Sequence, residues 1–159
     1  MNYFELFNIP VTLSVDKSNL AKKYFELQKQ FHPDFFTQAD DATQDVALEK
    51  SSYINQALKV LKNKDATIKY VLQLKGLIEE EEKYPLPPDF LMEVMELNEN
   101  LSADSATVIT EFENSIYAEV RNVIEQYNDA TASNGDLHKL KEYYYKKKYL
   151  QRILERLDG

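Results

Sequence analysis

His32 and Asp34 are residue types that move protons near neutral pH, and only Pro33 separates them. An imidazole beside a carboxylate has the makings of a general base and its orienting partner. That chemistry needs company, and none is in view: no adjacent nucleophile, Gly-rich phosphate loop or oxyanion motif accompanies the pair. A metal site would draw on His32, His138 and carboxylates, yet the two histidines fall in different halves of the chain without paired ligand spacing. The run Lys146-Lys147-Lys148, between Tyr145 and Tyr149, would suit an anionic ligand. A solvated helix face near a C-terminus, where cations offset the dipole, accounts for it without one. No catalytic residue, metal or cofactor is therefore expected, and Phe31-His32-Pro33-Asp34 reads as a contact point. Pro33 lacks a backbone donor and biases its predecessor away from helical geometry, so a helix arriving from residue 17 stops near Phe31 or His32. His32 and Asp34 are thereby set on an exposed turn.

The elements that must hold this turn are helices. The chain has 159 residues, 43% apolar, with three Gly, five Pro and no Cys, which favours an all-α protein without disulfides or thiolate metal sites. Net charge is −8 and uneven: residues 1–75 sum to +1 and residues 76–159 to −9. An acidic chain is a poor match for phosphate backbones, so nucleic acid is not expected as a partner. Met1 leads directly into Asn2-Tyr3-Phe4-Glu5-Leu6, with no basic apolar signal, Arg-rich presequence or long apolar run. A cytoplasmic protein with no membrane partner is expected.

Tyr3, Phe4, Leu6 and Phe7, ahead of Pro10, read as a short helical turn docking aromatics into a core. Asp16 caps the next helix, whose Leu20, Tyr24, Leu27 and Phe31 form a buried stripe. Its other face carries Lys17, Lys22, Lys23 and Lys29 against Glu26, a net +3, ordinarily the mark of a solvated face. After a loop over 35–42, Val46, Tyr53, Ile54, Ala57, Leu58 and Leu61 mark a longer helix running back antiparallel. Asp65 caps a helix carrying Ile68, Val71, Leu72 and Leu74, and Gly76 is a left-handed stop. Residues 79–88, an acidic run followed by three prolines, form the boundary between modules. Pro88 opens a helix ending near Leu101, and Asp104 or Ser105 starts one with Ile109, Phe112, Ile116, Val120, Ile124 and Tyr127 on a face. A last helix from Asp136 carries Leu137, Leu140, Tyr144, Leu150, Ile153, Leu154 and Leu157, completing a three-helix module.

With the basic helix leading into His32-Pro33-Asp34 and the returning helix carrying Ile54-Asn55-Gln56-Ala57, the first module resembles a J-domain, the part of a co-chaperone that engages DnaK-type chaperones. Tyr3-Phe4-Glu5-Leu6-Phe7 at the start and Phe90-Leu91-Met92-Glu93 after the prolines narrow this. From end to end the chain resembles the HscB family, J-type co-chaperones of iron–sulfur cluster assembly.

The resemblance implies a J-domain over 1–76, a linker over 77–83 and a client-binding three-helix domain over 84–159. It also implies two partners, an HscA/DnaK-type chaperone whose ATPase is stimulated and the scaffold protein IscU. Carried over, Lys22, Lys23 and Lys29 steer towards an acidic chaperone surface, and His32, Pro33 and Asp34 make the contact. Phe35 departs from the pattern, since many J-domains place Lys after the Asp. On the second module Leu91, Met92 and Met95, bordered by Glu96 and Glu99, are the scaffold-binding candidates. They could instead pack the core, but Phe90, Val94, Leu97 and Leu101 form a separate stripe for that. Tyr143 and Tyr144 are the candidates for an aromatic contact on the last helix. A J-protein serving a different client, or more distantly a small metal-dependent or acid–base hydrolase, are the other readings of the same residues.

Overall fold

The computed structural model describes residues 1–79, 81–99 and 104–158, with side chains to Arg156. Its regular elements are all helical: α1 (Tyr3–Leu6), α2 (Lys17–Phe31), a 3-10 turn (Pro33–Phe36), α3 (Asp41–Leu61), α4 (Lys64–Leu74), α5 (Pro88–Glu99), α6 (Ser105–Glu125) and α7 (Asn134–Asp158). The all-α expectation holds among the described residues. No helix among them is long and apolar enough to cross a membrane. Contacts divide the chain into Met1–Val71 and Leu72–Gly159, with the cut inside α4.

In the first unit, α1 is a single turn closed at both ends. The Asn2 carboxamide accepts from Glu5 N–H at 2.8 Å and donates to the Glu5 carboxylate at 3.1 Å, a reciprocal cap. At the far end Asn8 takes a left-handed φ of 52°. Ile9 N–H then reaches Phe4 C=O, and Asn8 N–H reaches Glu5 C=O, each at 3.0 Å. This closure carries Phe4 and Phe7 into the core, where both are fully buried. Tyr3 stacks on Tyr70 of α4 at 4.4 Å and donates its backbone N–H to the Tyr70 hydroxyl.

Helix α2 is capped by Asp16, which accepts from Asn19 N–H, as the sequence implies. Its packing stripe differs from expectation in kind. Leu20 is buried, but the deepest residue beyond it is Gln28, while Tyr24, Leu27 and Phe31 are half-buried. Gln28 sits in a polar network against α3. Ser51 Oγ donates to Gln28 Oε1 at 2.9 Å, Gln28 Nε2 donates to Asn55 Oδ1 at 3.0 Å, and the Tyr24 hydroxyl donates to the same Asn55 oxygen at 2.7 Å. Around it Ala47, Ile54, Ala57 and Leu61 of α3 supply the apolar contact. Val46, expected on the packing face, is exposed, because the α3 stripe runs one residue later through Ala47.

Two helix starts also differ. Asn63, not Asp65, caps α4, accepting from Ala66 N–H at 2.9 Å; Asp65 lies inside the first turn. Helix α7 begins at Asn134 instead of Asp136, because Ser133 Oγ accepts from Asp136 N–H at 3.1 Å and draws Gly135 into the first turn. Gly76 is the stop expected after α4, at φ 71°, with Leu77 N–H to Leu72 C=O and Gly76 N–H to Gln73 C=O. Leu74 is left exposed.

The second unit packs α6 on α7, with α5 against α7. Phe90 and Val94 are its buried residues from α5, and the Phe90 ring stacks on Phe112 at 5.6 Å. Leu101, expected on this stripe, and the Leu157 side chain lie outside the described residues. Along α7 the core positions are Leu137, Leu140, Tyr143, Leu150 and Ile153. Tyr143 therefore replaces Tyr144 in the expected stripe. The lysine run is not a uniform solvated face either. Lys146 pairs with Glu142 at 3.1 Å and lies 5.5 Å from the Phe90 ring centre, so its stem is packing material.

The segment before α5 is fastened to this unit. Lys141 donates to Glu82 at 2.9 Å, the Tyr145 hydroxyl donates to the same carboxylate at 3.2 Å, and Tyr84 stacks on Tyr145 at 4.7 Å. Burial and the Glu82 charge push the Tyr145 hydroxyl up to about 12. Nearby in sequence, Lys75 donates to Asp129 at 2.7 Å, and the Tyr127 hydroxyl donates to it at 2.8 Å. The Lys75 hydrogen bond, aided by that of Tyr127 and opposed by partial burial, holds the Asp129 carboxyl below its ordinary value of 3.8.

Two outcomes follow from these contacts. Gln28→Ala strands the buried Ser51 hydroxyl and should cost about 1–3 kcal/mol, read from hydrogen exchange of α2 and α3 amides, whereas Gln28→Leu with Ser51→Ala should recover part of that loss. Asp129 has a lowered folded-state value, so its stabilisation is present above 3.8 and lost as the pH falls through the folded value. Melting of the parent and Asp129→Asn should differ at about pH 7, and the difference should shrink as the pH is taken below 3.8.

Candidate functional site

Helix α2 ends because its next donor is missing. His32 N–H bonds Gln28 C=O at 2.8 Å, Pro33 has no N–H to continue, and His32 turns extended at φ −62°, ψ 133°. Pro33 opens the 3-10 turn with His32 as its cap. His32 Nδ1 accepts from Asp34 N–H at 3.2 Å, and Phe35 N–H returns to His32 C=O at 3.0 Å. An accepting Nδ1 carries no proton, which leaves Nε2 as the ring's donor. The Asp34 carboxylate stays 3.6 Å from Nδ1, too far for a hydrogen bond. The imidazole thus orders the turn, and the carboxylate is presented: the His32 side chain is 46% exposed and that of Asp34 86%. This arrangement suits accepting bonds from a partner's cation better than passing a proton to a substrate. The loop beyond is tied back by Gln44 Nε2, which donates to Thr37 C=O and Ala39 C=O.

The three α2 lysines expected to face the chaperone divide. Lys22 and Lys29 are exposed, with no carboxylate at ion-pair distance among the described residues. Lys23 donates to Asn8 C=O at 2.8 Å and so braces the end of α1. Two residues near this face escaped the sequence reading. Lys50 of α3 holds its ammonium 4.7 Å from the ring centre of Phe31, the last residue of α2, adding a cation beside the turn. Its place depends on the α2–α3 pairing, so spacing alone does not reveal it. Phe25 is exposed at i+3 from Lys22 and i−4 from Lys29, a position that helical periodicity does reveal. Phe35 is also exposed, its ring edge-on to His32 at 6.3 Å.

On α5, Phe90 and Val94 face inward, and Met92 and Met95 stand 62% and 58% exposed. Leu91 is half-buried between the two faces, and Glu96 and Glu99 are exposed. The two α7 aromatics separate. Tyr143 is 4% exposed, its ring 6.0 Å from Tyr117, which takes it out of direct contact with a partner. Tyr144 is half-buried, with Lys148 5.9 Å from its ring centre. Among the described residues no three His, Asp or Glu side chains are grouped to hold a metal ion.

Residues 86–158 match the family model described as the HSCB C-terminal oligomerisation domain. The chain is 36% identical to a co-chaperone protein HscB homolog of Vibrio vulnificus, over the full length of both. It is 33% identical to the iron-sulfur cluster co-chaperone protein HscB of Mus musculus, over 98% of this chain and 67% of that one. Human co-chaperone protein HscB matches in structure with a TM-score of 0.81 at 27% identity, over 99% of this chain and 81% of that chain. Chaperone HscB from Vibrio cholerae matches with a TM-score of 0.59 at 31% identity, over 99% of both.

The division of α5 into a packed and a presented face has a direct check. Val94→Ala should lower the denaturant midpoint by the equivalent of about 1–3 kcal/mol, while Met92→Ala and Met95→Ala stay within about 0.5 kcal/mol.

Proposed function

The chain belongs to the HscB family of iron–sulfur cluster co-chaperones, and from that premise we propose that it joins two particular proteins. One is an HscA/DnaK-type chaperone, engaged by a J-domain over residues 1–76. The other is the scaffold protein IscU, engaged by residues 84–159, with 77–83 between the two modules. The observation that carries the first half is Asp34: a highly exposed carboxylate fixed on a 3-10 turn by Pro33 and the His32 cap, at the end of a helix bearing Lys22 and Lys29. Long-range attraction from the lysines raises the rate of encounter, and Asp34 accepts charge-assisted bonds once contact is made. His32 and Pro33 hold that carboxylate in place. Lys23 adds its charge to the field while bracing α1.

The second half rests on Met92 and Met95, exposed beside half-buried Leu91 and bordered by Glu96 and Glu99. Thioether side chains are unbranched and adapt to an irregular partner. Tyr144, half-buried on α7, is the aromatic that meets the scaffold, and Tyr143, 4% exposed, serves the core of the same module. The protein performs no chemistry of its own and needs no cofactor. It works in the cytoplasm, away from nucleic acid and membrane, by holding the scaffold at a high effective concentration near the chaperone while hydrolysis is triggered.

Variants should separate the two halves. Asp34→Asn or His32→Gln should reduce ATPase stimulation of the HscA-type chaperone by about tenfold or more, the loss expected when a charge-assisted contact goes. Helicity and IscU binding should stay unchanged. Leu91, Met92 and Met95 changed together to Ala should weaken IscU binding and spare stimulation measured without scaffold. Loss of both activities in either variant contradicts the division.

A further inference from the structure

Phe25 has no place in the packing of α2. It is 64% exposed, and its ring meets the Tyr24 ring edge-on at 5.6 Å. The core contacts of the helix run through Leu20 and Gln28, and alanine would serve an exposed helical position better. What surrounds Phe25 is charge. Lys22 and Lys29 lie three residues before and four after it, within about 60° around the helix, and among the described residues neither has a carboxylate at ion-pair distance. Six residues, about 9 Å of helix axis, separate Phe25 from Phe31, a span that one ordinary interface covers.

An aromatic ring bordered by ammonium groups that outnumber the one neighbouring carboxylate, Glu26, matches a partner surface with an apolar recess rimmed by carboxylates. We infer that Phe25 is the apolar anchor by which this chain holds its chaperone, extending the contact made by Asp34 up the exposed face of α2. This rests on the J-domain reading proposed above. The roles divide by distance dependence. Lys22 and Lys29 act before contact and set the association rate, while Phe25 acts after contact, when its ring leaves water, and sets the dissociation rate.

The test measures how much protein gives half-maximal ATPase stimulation of an HscA-type chaperone, at low and high salt, together with dissociation of the complex. Phe25→Ala should raise that concentration about tenfold, consistent with an aromatic ring lost from an interface. The change should persist at both salts and appear in the dissociation rate. Phe25→Leu should restore most of the affinity. Lys22→Gln with Lys29→Gln should instead slow association, with an effect that fades as salt rises. If Phe25→Ala matches the parent while Asp34→Asn abolishes stimulation, the anchor is wrong and the J-domain reading stands. If Asp34→Asn also stimulates like the parent, the J-domain reading fails and the anchor fails with it.

Discussion

The first unit depends on how α2 is registered against α3, and one polar cluster, buried at Gln28 and Ser51, sets it. Apolar contacts through Leu20, Ile54 and Ala57 supply the driving force but tolerate sliding, since burial has no direction. Gln28, Ser51, Asn55 and Tyr24 do not: each bond has a length and an angle, and a one-residue slip leaves Gln28 and the Ser51 hydroxyl buried without partners. The register then places Phe31 under Lys50 and brings the chain out of α2 where Pro33 must turn it. Asp34 is presented because the helix pair beneath it has one arrangement.

Much of this was legible wherever a single residue dictates its own surroundings. Pro33 ends a helix by lacking a donor, Asp16 caps one by accepting Asn19 N–H, and Gly76 stops one by taking φ 71°. These effects reach across five residues or fewer and survive any tertiary context. The inward set of α5 was legible for the same reason, since Phe90 and Val94 are spaced by one helical turn. Caps chosen between neighbouring candidates were less so. Asn63 and Ser133 win over Asp65 and Asp136 because each sits one residue before its helix, with the side-chain oxygen three residues from the N–H it takes.

What sequence did not disclose depends on partners distant in the chain. Gln28 looks like a surface residue until Ser51 and Asn55 arrive opposite it. The run Tyr143-Tyr144-Tyr145 covers most of the circumference of α7, so composition cannot say which ring goes inward. Packing against Tyr117 selects Tyr143, while Glu82 and Tyr84 engage Tyr145. Lys146 similarly reads as solvated and instead lies beside Phe90. The acidic, proline-rich stretch has the composition of a loose connector, yet Glu82 and Tyr84 fasten it to α7.

The two units present different chemistry in keeping with their charge. The first offers a carboxylate on a rigid turn beside cations, suited to fast, directional contact, and the second offers adaptable thioethers over an acidic background. The central claim is that this chain couples a scaffold to a chaperone's ATPase. Its most direct test is the single-turnover ATP hydrolysis rate of an HscA-type chaperone with this protein alone, with IscU alone, and with both. The account predicts a rate with both that exceeds the product of the separate accelerations. A rate with both no faster than with IscU alone would contradict it.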